Sequence, residues 1–491
     1  MGDNNNGLNS NKVVTSFGWK LTERIVSQGI NLLVQIILAR LLVPEVFGSL
    51  AIIIAITNFA TIIAQSGFST YIVQKKDLKD DDVSTTIVVS LFFSIIFYII
   101  IFFLSPTISS IYNDGSLVWP LRVLGLIIFL NSIYSIQTAL LSREMKFKQI
   151  LLRSLLAIPV SGAIGIILAY KGFGLWALVI HHLSNMFITV IVLEISAKKH
   201  YKLKFSKSSF KTIYSFSGKV LIGSIISEIH DSLRSLVIGK KYSTDELAYY
   251  DKGYTYASYF SEIIRSSLTS VLLPAFSRLQ DNCDKIKRAT RTSLSITAFV
   301  MFPCLCGIAL VSEDLIHILL TDKWLPAVPF LILFCILRIP YIIKSIELQA
   351  YYALGRSDVT LVYGAISCLI NIIVLFICLK MGTISIAIGV TIVEFLCMFA
   401  TWIISSKLFG YSFFEHFEDV FKTIIGVLVM VLIVNRLNDI NANRYLLLSL
   451  KVFIGASVYI FVSFVFQNPS LFKIVSIIKS VLRRKKLDVR T

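Results

Sequence analysis

Apolar residues occur in runs of about 20 along the whole chain, and short polar stretches separate these runs. A run of that length is enough for one α-helix to cross the hydrocarbon core of a membrane. The pattern therefore predicts an all-α polytopic membrane protein with about fourteen transmembrane helices. The predicted spans are 17–42, 46–72, 83–105, 117–141, 150–170, 174–197, 213–238, 248–275, 292–312, 327–353, 359–379, 384–405, 419–435 and 445–466.

Composition supports this prediction. Of the 491 residues, 56% are hydrophobic and only 15% are charged, whereas soluble proteins carry about 25% charged residues. The net charge of +18 raises the possibility of a nucleic-acid partner, but the basic residues cluster in short stretches between apolar runs. That placement is typical of cytoplasmic loops, so we expect no nucleic-acid binding. The polar start of the chain lacks the features of a signal peptide, so the first span is expected to be retained.

The loops give the orientation. Lys and Arg are concentrated in alternate loops, most of all in 198–211 and 278–288 and in the tail at 479–486. Because basic loops stay in the cytoplasm, both termini are expected to be cytoplasmic. The tail from 471 to 486 alternates apolar and basic faces, which suggests a helix lying on the membrane surface.

A weak internal repeat indicates the domain organisation. The motif "SFGWK" at Ser16–Lys20 reappears as "SFSGK" at Ser215–Lys219, which divides the first twelve spans into six and six. Two pseudo-symmetric six-helix lobes plus two C-terminal helices are therefore predicted. The predicted parts are a cytoplasmic N-terminus (1–16), an N-lobe (17–197), a basic cytoplasmic linker (198–212), a C-lobe (213–405), the last two helices (419–466) and a basic cytoplasmic tail (467–491).

Polar residues in the first and seventh spans fall on one helix face each. At about 100° per residue, the polar positions between Lys20 and Asn31 share one face, and those between Lys219 and Arg234 share another. Two polar stripes in the same phase predict a water-filled cavity lined by both. A cation at mid-bilayer costs about 2.5–3.5 kcal/mol on insertion scales, so such charges require water, a partner or a ligand.

The candidate site residues follow from these stripes and from other charges within predicted spans. The predicted substrate cavity comprises Lys20, Arg24, Gln28, Asn31, Lys219, His230, Arg234, Arg265, Arg338 and Lys344. Carboxylates that could bind a proton or sodium ion during transport are Glu23, Glu228, Asp231, Glu262, Glu347 and Glu394. Apart from that coupling ion, we expect no cofactor, no metal and no catalytic residue.

Most of these positions also have a purely structural interpretation. A cation near a helix end can snorkel to the interface, and charges three residues apart on a helix can pair. These alternatives are snorkelling of Lys20, pairing of Arg24 with Glu23 or with a neighbouring helix, pairing of Arg234 with Asp231 and of Arg265 with Glu262, an interface position for Arg122, and packing roles for His230 and Glu394.

Recognisable catalytic and metal-binding motifs are missing from the sequence. It contains no Walker A pattern, no zinc-spaced His/Cys set and no convincing nucleophile elbow, and its seven cysteines lie mostly inside apolar segments. The predicted outward loops are short, which leaves little surface for an enzyme's acceptor and catalytic groups. These observations argue against an enzyme.

Several stretches resemble Wzx-type polysaccharide flippases, particularly the WzxC-like branch of the multidrug/oligosaccharidyl-lipid/polysaccharide exporter superfamily. They include "ERIVSQGINLLVQIILARLLVPEVFG" (23–48), "SGFSTYIVQKKD" (66–77), "LSREMKFK" (141–148), "AYKGFGLWALV" (169–179), "IGKKYSTDELAYYDKG" (238–253), "LLPAFSRLQDN" (272–282) and "YYALGRSDV" (351–359). The resemblance implies a two-lobed, fourteen-helix transporter that moves polyprenyl-pyrophosphate-linked oligosaccharide repeat units across the bacterial inner membrane by alternating access, for lipopolysaccharide or exopolysaccharide biosynthesis.

Two alternatives stay open at this point: a multidrug or small-solute exporter of the same superfamily, and a membrane enzyme of polysaccharide assembly. An exporter of organic cations should have an acidic or aromatic cavity, which the basic stripes disfavour. The expected partners are a lipid-linked oligosaccharide, membrane lipids and, within the pathway, polysaccharide polymerases and glycosyltransferases.

Overall fold

A computed structural model describes residues 10–65, 67–75, 77–144, 146–196, 203–437, 443–476 and 479. Within these residues the backbone is helical apart from short loops, which confirms the all-α fold class. Packing divides the chain into two units, residues 1–251 and 252–491, and the division falls inside the helix Thr244–Ser277. The predicted lobes 17–197 and 213–405 stay a prediction. The predicted surface helix at 471–486 lies largely outside the described residues.

The first unit is a bundle of long helices. They are α1 (Ser10–Leu41), α2 (Pro44–Gln65), α3 (Phe68–Gln74), α4 (Asp80–Tyr112), α5 (Val118–Gly125), α6 (Ile127–Arg143), α7 (Phe147–Tyr170), α8 (Leu175–Ser196), α9 (Lys207–Lys241) and the first residues of α10 (Thr244–Ser277). Helix α7 packs between α1 and α8, whereas α9 packs against α2, α3 and α4. A core cluster around Phe68, Tyr71 and Ile136 joins α3, α4, α6 and α9.

The second unit contains the rest of α10 and the helices that follow it. They are α11 (Cys283–Leu310), α12 (Ser312–Leu320), α13 (Val328–Ala353), α14 (Ser357–Cys378), α15 (Thr383–Phe409), α16 (Phe413–Arg436) and α17 (Arg444–Val465). Helix α13 packs between α11 and α15, and α16 packs between α11 and α17. The large buried side chains of Phe276, Tyr351, Trp402 and Tyr459 belong to one core cluster of this unit.

Helix length and composition support a multi-pass membrane protein. Among the described residues, eleven helical segments are long and apolar enough to cross a membrane. Helices α9, α10 and α16 cover the predicted spans 213–238, 248–275 and 419–435 but are not among the eleven, and each carries several charged residues. The predicted number of about fourteen crossings is therefore not confirmed.

Close helix packing in the first unit requires a glycine at position 48. A Cβ atom added to Gly48 in α2 would lie 1.8 Å from the carbonyl oxygen of Thr244, a backbone atom that cannot swing aside. Overpacking of this kind typically costs about 1–3 kcal/mol. We therefore predict that Gly48→Ala lowers the thermal unfolding temperature of the detergent-solubilised protein.

Gly29 in α1 provides the matched control, because a Cβ added there meets no atom within 4 Å. Alanine is favoured over glycine inside a helix by about 1 kcal/mol, so Gly29→Ala should keep or raise the unfolding temperature. Equal unfolding temperatures for the two variants would show that α2 and the start of α10 are not packed as described.

Candidate functional site

The predicted polar face of α1 is half-buried. Arg24, Gln28 and Asn31 form no hydrogen bond or ion pair with any described residue, and the Nε atom of Arg24 is buried. Glu23 does not pair with Arg24. Its carboxylate instead accepts hydrogen bonds from Ser27 at 3.2 Å and from Ser154 of α7 at 3.3 Å. The side chain of Lys20 lies outside the described residues.

The corresponding stripe on α9 can be placed only in part, because the side chains of Lys219 and His230 lie outside the described residues. Arg234 is buried, 3.4 Å from the carboxylate of Asp231, and its guanidinium lies over the ring of Tyr250. Glu228 accepts a hydrogen bond from Ser232 at 2.6 Å. Arg234 therefore forms the ion pair with Asp231 that was the structural alternative for this residue, and Asp231 largely neutralises its charge.

Three of the predicted cavity cations surround one aromatic ring in the second unit. The distances from the Tyr341 ring centroid are 5.9 Å to Arg265, 4.8 Å to Arg338 and 5.5 Å to Lys344. Arg265 lies on α10, and the other two lie one turn before and after Tyr341 on α13. The negative face of an aromatic ring attracts cations at these distances. We call this group, with its partners below, the Tyr341 cluster.

Two of the three cations have carboxylate partners. The Nε atom of Arg265 donates to both carboxylate oxygens of Glu262, at 2.6 and 3.1 Å. Lys344 forms a buried ion pair with Glu394 of α15. Glu394 has no basic neighbour in sequence, so this partner could not be read from local spacing. Glu262 and Glu394 are predicted coupling carboxylates, and in this structure both are engaged as counter-ions.

Arg338 has no counter-ion among the described residues. It is 3% exposed, and its guanidinium lies between the rings of Tyr254 and Tyr341, 4.5 and 4.8 Å away. One Nη atom donates to the hydroxyl of Ser258, while the Nε atom is buried with no hydrogen-bond partner. A buried guanidinium with one neutral partner retains both charge and unused donors.

The Tyr341 cluster consequently carries one positive charge in excess, since two carboxylates face three cations. Burying an uncompensated charge is expensive, and the cost is recovered when an anion is bound. Guanidinium groups bind carboxylates and phosphates through short, paired hydrogen bonds that an ammonium group cannot match. The cluster is thus chemically suited to an oxyanion.

Glu347, also a predicted coupling residue, lies outside this cluster. It is three residues from Lys344 on α13 but does not pair with it. Both Glu347 and His416 of α16 are fully buried, and Nε2 of His416 lies 2.6 Å from the Glu347 carboxylate. The imidazole is stacked between the rings of Tyr411 and Trp402. Through His416, the start of α16 packs against Glu347 of α13 and Trp402 of α15.

A second polar network joins the start of α16 to α11. Arg291 donates to both carboxylate oxygens of Asp419, at 2.7 and 2.8 Å, and to Glu415 at 3.1 Å. Burial alone would raise the pKa of Glu415, but hydrogen bonds from Lys287 and from the backbone N–H of Ser412 outweigh that effect and lower the pKa to about 2. Glu415 therefore stays ionised over the physiological range.

A cavity of about 580 Å³ lies within the second unit, between α11, α16 and α17. Its walls are almost entirely apolar and include Phe299, Pro303 and Ile460. The exception is Lys451, whose Nζ lies 2.5 Å from the carboxylate of Asp314 and is thereby neutralised. Among the described residues, no group of three His, Cys, Asp or Glu side chains could hold a metal ion.

Sequence reasoning missed several buried polar residues. Each lies near one end of an apolar run, where a polar or charged residue ordinarily marks the membrane interface, so the pattern gave no signal. The missed residues are Arg153, Lys252, Asp314, His416 and Lys451.

Comparisons with known proteins agree with this architecture. The profile of a family described as polysaccharide biosynthesis protein matches residues 37–329, more than half of the chain. The lipopolysaccharide biosynthesis protein WzxC of Escherichia coli is 20% identical, over 82% of this chain and 83% of its own. The succinoglycan biosynthesis transport protein ExoT of Rhizobium meliloti is 22% identical, over 73% and 76%.

Among solved structures, the lipid II flippase MurJ in an inward closed conformation matches with a TM-score of 0.74. Sequence identity is 19%, and the match covers 91% of this chain and 98% of the other. At that identity the match establishes the fold. The extent of the family match establishes more: the chain belongs to the polysaccharide biosynthesis protein family.

Proposed function

We propose that this protein is a flippase that moves polyprenyl-pyrophosphate-linked oligosaccharide repeat units across the bacterial inner membrane by alternating access. The product would serve lipopolysaccharide or exopolysaccharide synthesis, and both termini would face the cytoplasm. The observation that carries the proposal is the excess positive charge buried in the Tyr341 cluster of a multi-pass membrane protein of this family. A pyrophosphate group is an oxyanion that would neutralise that charge.

The names of the relatives support this substrate class. WzxC is a lipopolysaccharide biosynthesis protein, ExoT is a succinoglycan transport protein, and MurJ is a lipid II flippase. The names of WzxC and ExoT specify biosynthesis, and those of ExoT and MurJ specify transport or flipping. A transporter, and not an enzyme, is the function that we propose for this chain.

The apolar cavity fits the other end of such a substrate. With about 580 Å³ and walls made of α11, α16 and α17, it offers a surface on which part of a polyprenyl chain could lie. Its one cation, Lys451, is already paired with Asp314 and so would not compete for the pyrophosphate.

We propose in addition a path for the head group, a coupling ion and partner enzymes. The α1 and α9 stripes, including Lys20, Lys219 and His230, would line the path of the polar head group. A proton or sodium ion would drive the cycle, bound by one of the six candidate carboxylates. Glycosyltransferases would supply the substrate, and polysaccharide polymerases would consume it.

The proposal predicts a specific phenotype when the gene is deleted from its bacterium. Surface polysaccharide should disappear, and lipid-linked repeat units should accumulate in the membrane, because assembly continues while export stops. Quantifying both pools by lipid extraction and mass spectrometry tests this, with complementation by the wild-type gene as the control. Normal surface polysaccharide together with altered drug susceptibility would instead indicate the multidrug exporter.

A further inference from the structure

Helices α1 and α7 are parallel neighbours in the first unit. Ser154 of α7 donates to Glu23 of α1 at 3.3 Å, and farther along both helices Gly162 packs against Val34. Residue numbers therefore increase in the same direction on both helices along the shared interface. This register fixes which flanking side chains lie together.

Arg24 follows Glu23 on α1, and Arg153 precedes Ser154 on α7. One residue corresponds to a rotation of about 100° in an α-helix. Consider two parallel helices that touch at one position each. The residue that follows the contact on the first helix lies on the same side of the interface as the residue that precedes the contact on the second, as in parallel coiled coils. The two guanidinium groups thus flank the Glu23–Ser154 contact on one side.

Neither guanidinium is neutralised within the described part of the chain. Arg153 is 7% exposed, forms no hydrogen bond or ion pair with a described residue, and has a buried Nη1 atom without a partner. Arg24 likewise has a buried, unpartnered Nε atom. The nearby carboxylate of Glu23 accepts hydrogen bonds from two serine hydroxyls and forms no ion pair with either guanidinium, so two cations face one anion and the site keeps a net positive charge.

Helix α6 closes this site on the α7 side. The guanidinium of Arg153 lies over the ring of Tyr134, 4.8 Å from its centroid, which holds the group in place. One turn farther along α6, the hydroxyl of Thr138 is also buried without a hydrogen-bond partner. The site therefore offers two guanidinium groups, and guanidinium donors match a phosphoryl oxyanion.

We propose that Arg24 and Arg153, backed by Tyr134, form an oxyanion-binding site within the first unit. The ligand chemistry is a phosphoryl group. The assignment of that group to the diphosphate of a polyprenyl-linked substrate rests on the proposed function, whereas a phospholipid head group is the other source of the same chemistry.

Ligand-induced thermal shift and binding titration of the detergent-solubilised full chain test this site. The probes are polyprenyl diphosphate, phosphatidylglycerol and, as an uncharged control, polyprenol. Wild-type protein should bind polyprenyl diphosphate, and Arg153→Gln should weaken that binding roughly tenfold or more, through loss of charge-assisted hydrogen bonds. Arg153→Lys, which keeps the charge, should bind with intermediate affinity.

Arg122→Gln is the matched control, because Arg122 lies in the same unit over the rings of Phe102 and Trp119 but already donates to Ser105 and to the Phe102 carbonyl. It should bind the probe as the wild type does. Unchanged binding by Arg153→Gln would overturn the site and leave the proposed function standing. Binding of phosphatidylglycerol alone, lost in Arg153→Gln, would keep the oxyanion site but contradict the proposed function. Binding of neither phosphorylated probe by the wild type would overturn both.

Discussion

Replacing Arg338 by glutamine is expected to abolish translocation while leaving the protein at least as stable as the wild type. Arg338 is buried between two tyrosine rings and has no carboxylate partner among the described residues. If its charge serves to bind the substrate's pyrophosphate, removing it should weaken binding roughly tenfold to a hundredfold, the value of one or two charge-assisted hydrogen bonds. Because the charge is uncompensated without ligand, its loss should not lower the free energy of unfolding.

Arg265→Gln is the matched control from the same cluster. Arg265 donates to both oxygens of Glu262, so its removal leaves a half-buried carboxylate unpaired and should lower the unfolding temperature. Thermal unfolding in detergent and polymer export in complemented cells give the two readouts. A strongly destabilised Arg338→Gln protein, or one that exports polymer normally, would show that Arg338 is a structural residue.

Replacing Lys344 by methionine is expected to destabilise the protein by about 3–5 kcal/mol, the usual effect of removing one partner of a buried ion pair. The pair joins α13 to α15, and the two residues are each only 8% exposed. The single variant leaves Glu394 facing the apolar interior without its counter-ion. The double variant Lys344→Met with Glu394→Leu removes both charges and should recover most of the lost stability.

The double-mutant cycle gives a clear readout of this coupling. The unfolding free energies of wild type, Lys344→Met, Glu394→Leu and the double variant should be strongly non-additive, because the residues are in contact. The double variant should fold but lose transport if Glu394 binds the coupling ion. Additive effects would mean that the two side chains do not interact in the folded protein.

The pattern of apolar runs was sufficient to predict the all-α fold class. Each predicted span except 117–141, which is divided between α5 and α6, corresponds to a long helix of the structure, since runs of about 20 apolar residues have few other stable arrangements in a membrane. Charged residues decide which of these helices meet a hydropathy criterion for crossing a membrane. Helices α9, α10 and α16 combine membrane-spanning length with several ionisable residues, and a hydropathy criterion cannot weigh partners that are distant in sequence.

For the candidate site, the sequence indicated which cations lie within helices but not which residues of other helices they contact. Position within a predicted span brought Arg265, Arg338 and Lys344 forward as cations within helices, and the structure gathers them around Tyr341. It could not show that Lys344 pairs with Glu394, because that contact joins separate helices. Arg153 was missed since it lies near the start of a predicted span, where cations are unremarkable.

Local charge pairs were more accessible to sequence reasoning. The spacing of three residues on a helix offered the pairing of Arg234 with Asp231 and of Arg265 with Glu262 as structural alternatives, and both pairs are present. The pairing of Arg24 with Glu23 is absent, because adjacent residues on a helix point about 100° apart and Ser154 supplies a nearer partner.

The most direct measurement is translocation by the purified protein in sealed liposomes. A polyprenyl-pyrophosphate-linked oligosaccharide with a fluorescent sugar is placed in both leaflets, and a membrane-impermeant reductant quenches the label exposed outside. Wild-type protein should make the inner pool accessible, whereas Arg338→Gln and empty liposomes should not. An inner pool that stays protected with the wild type would contradict flipping by this protein, and equal access with Arg338→Gln would contradict the role of Arg338 in it.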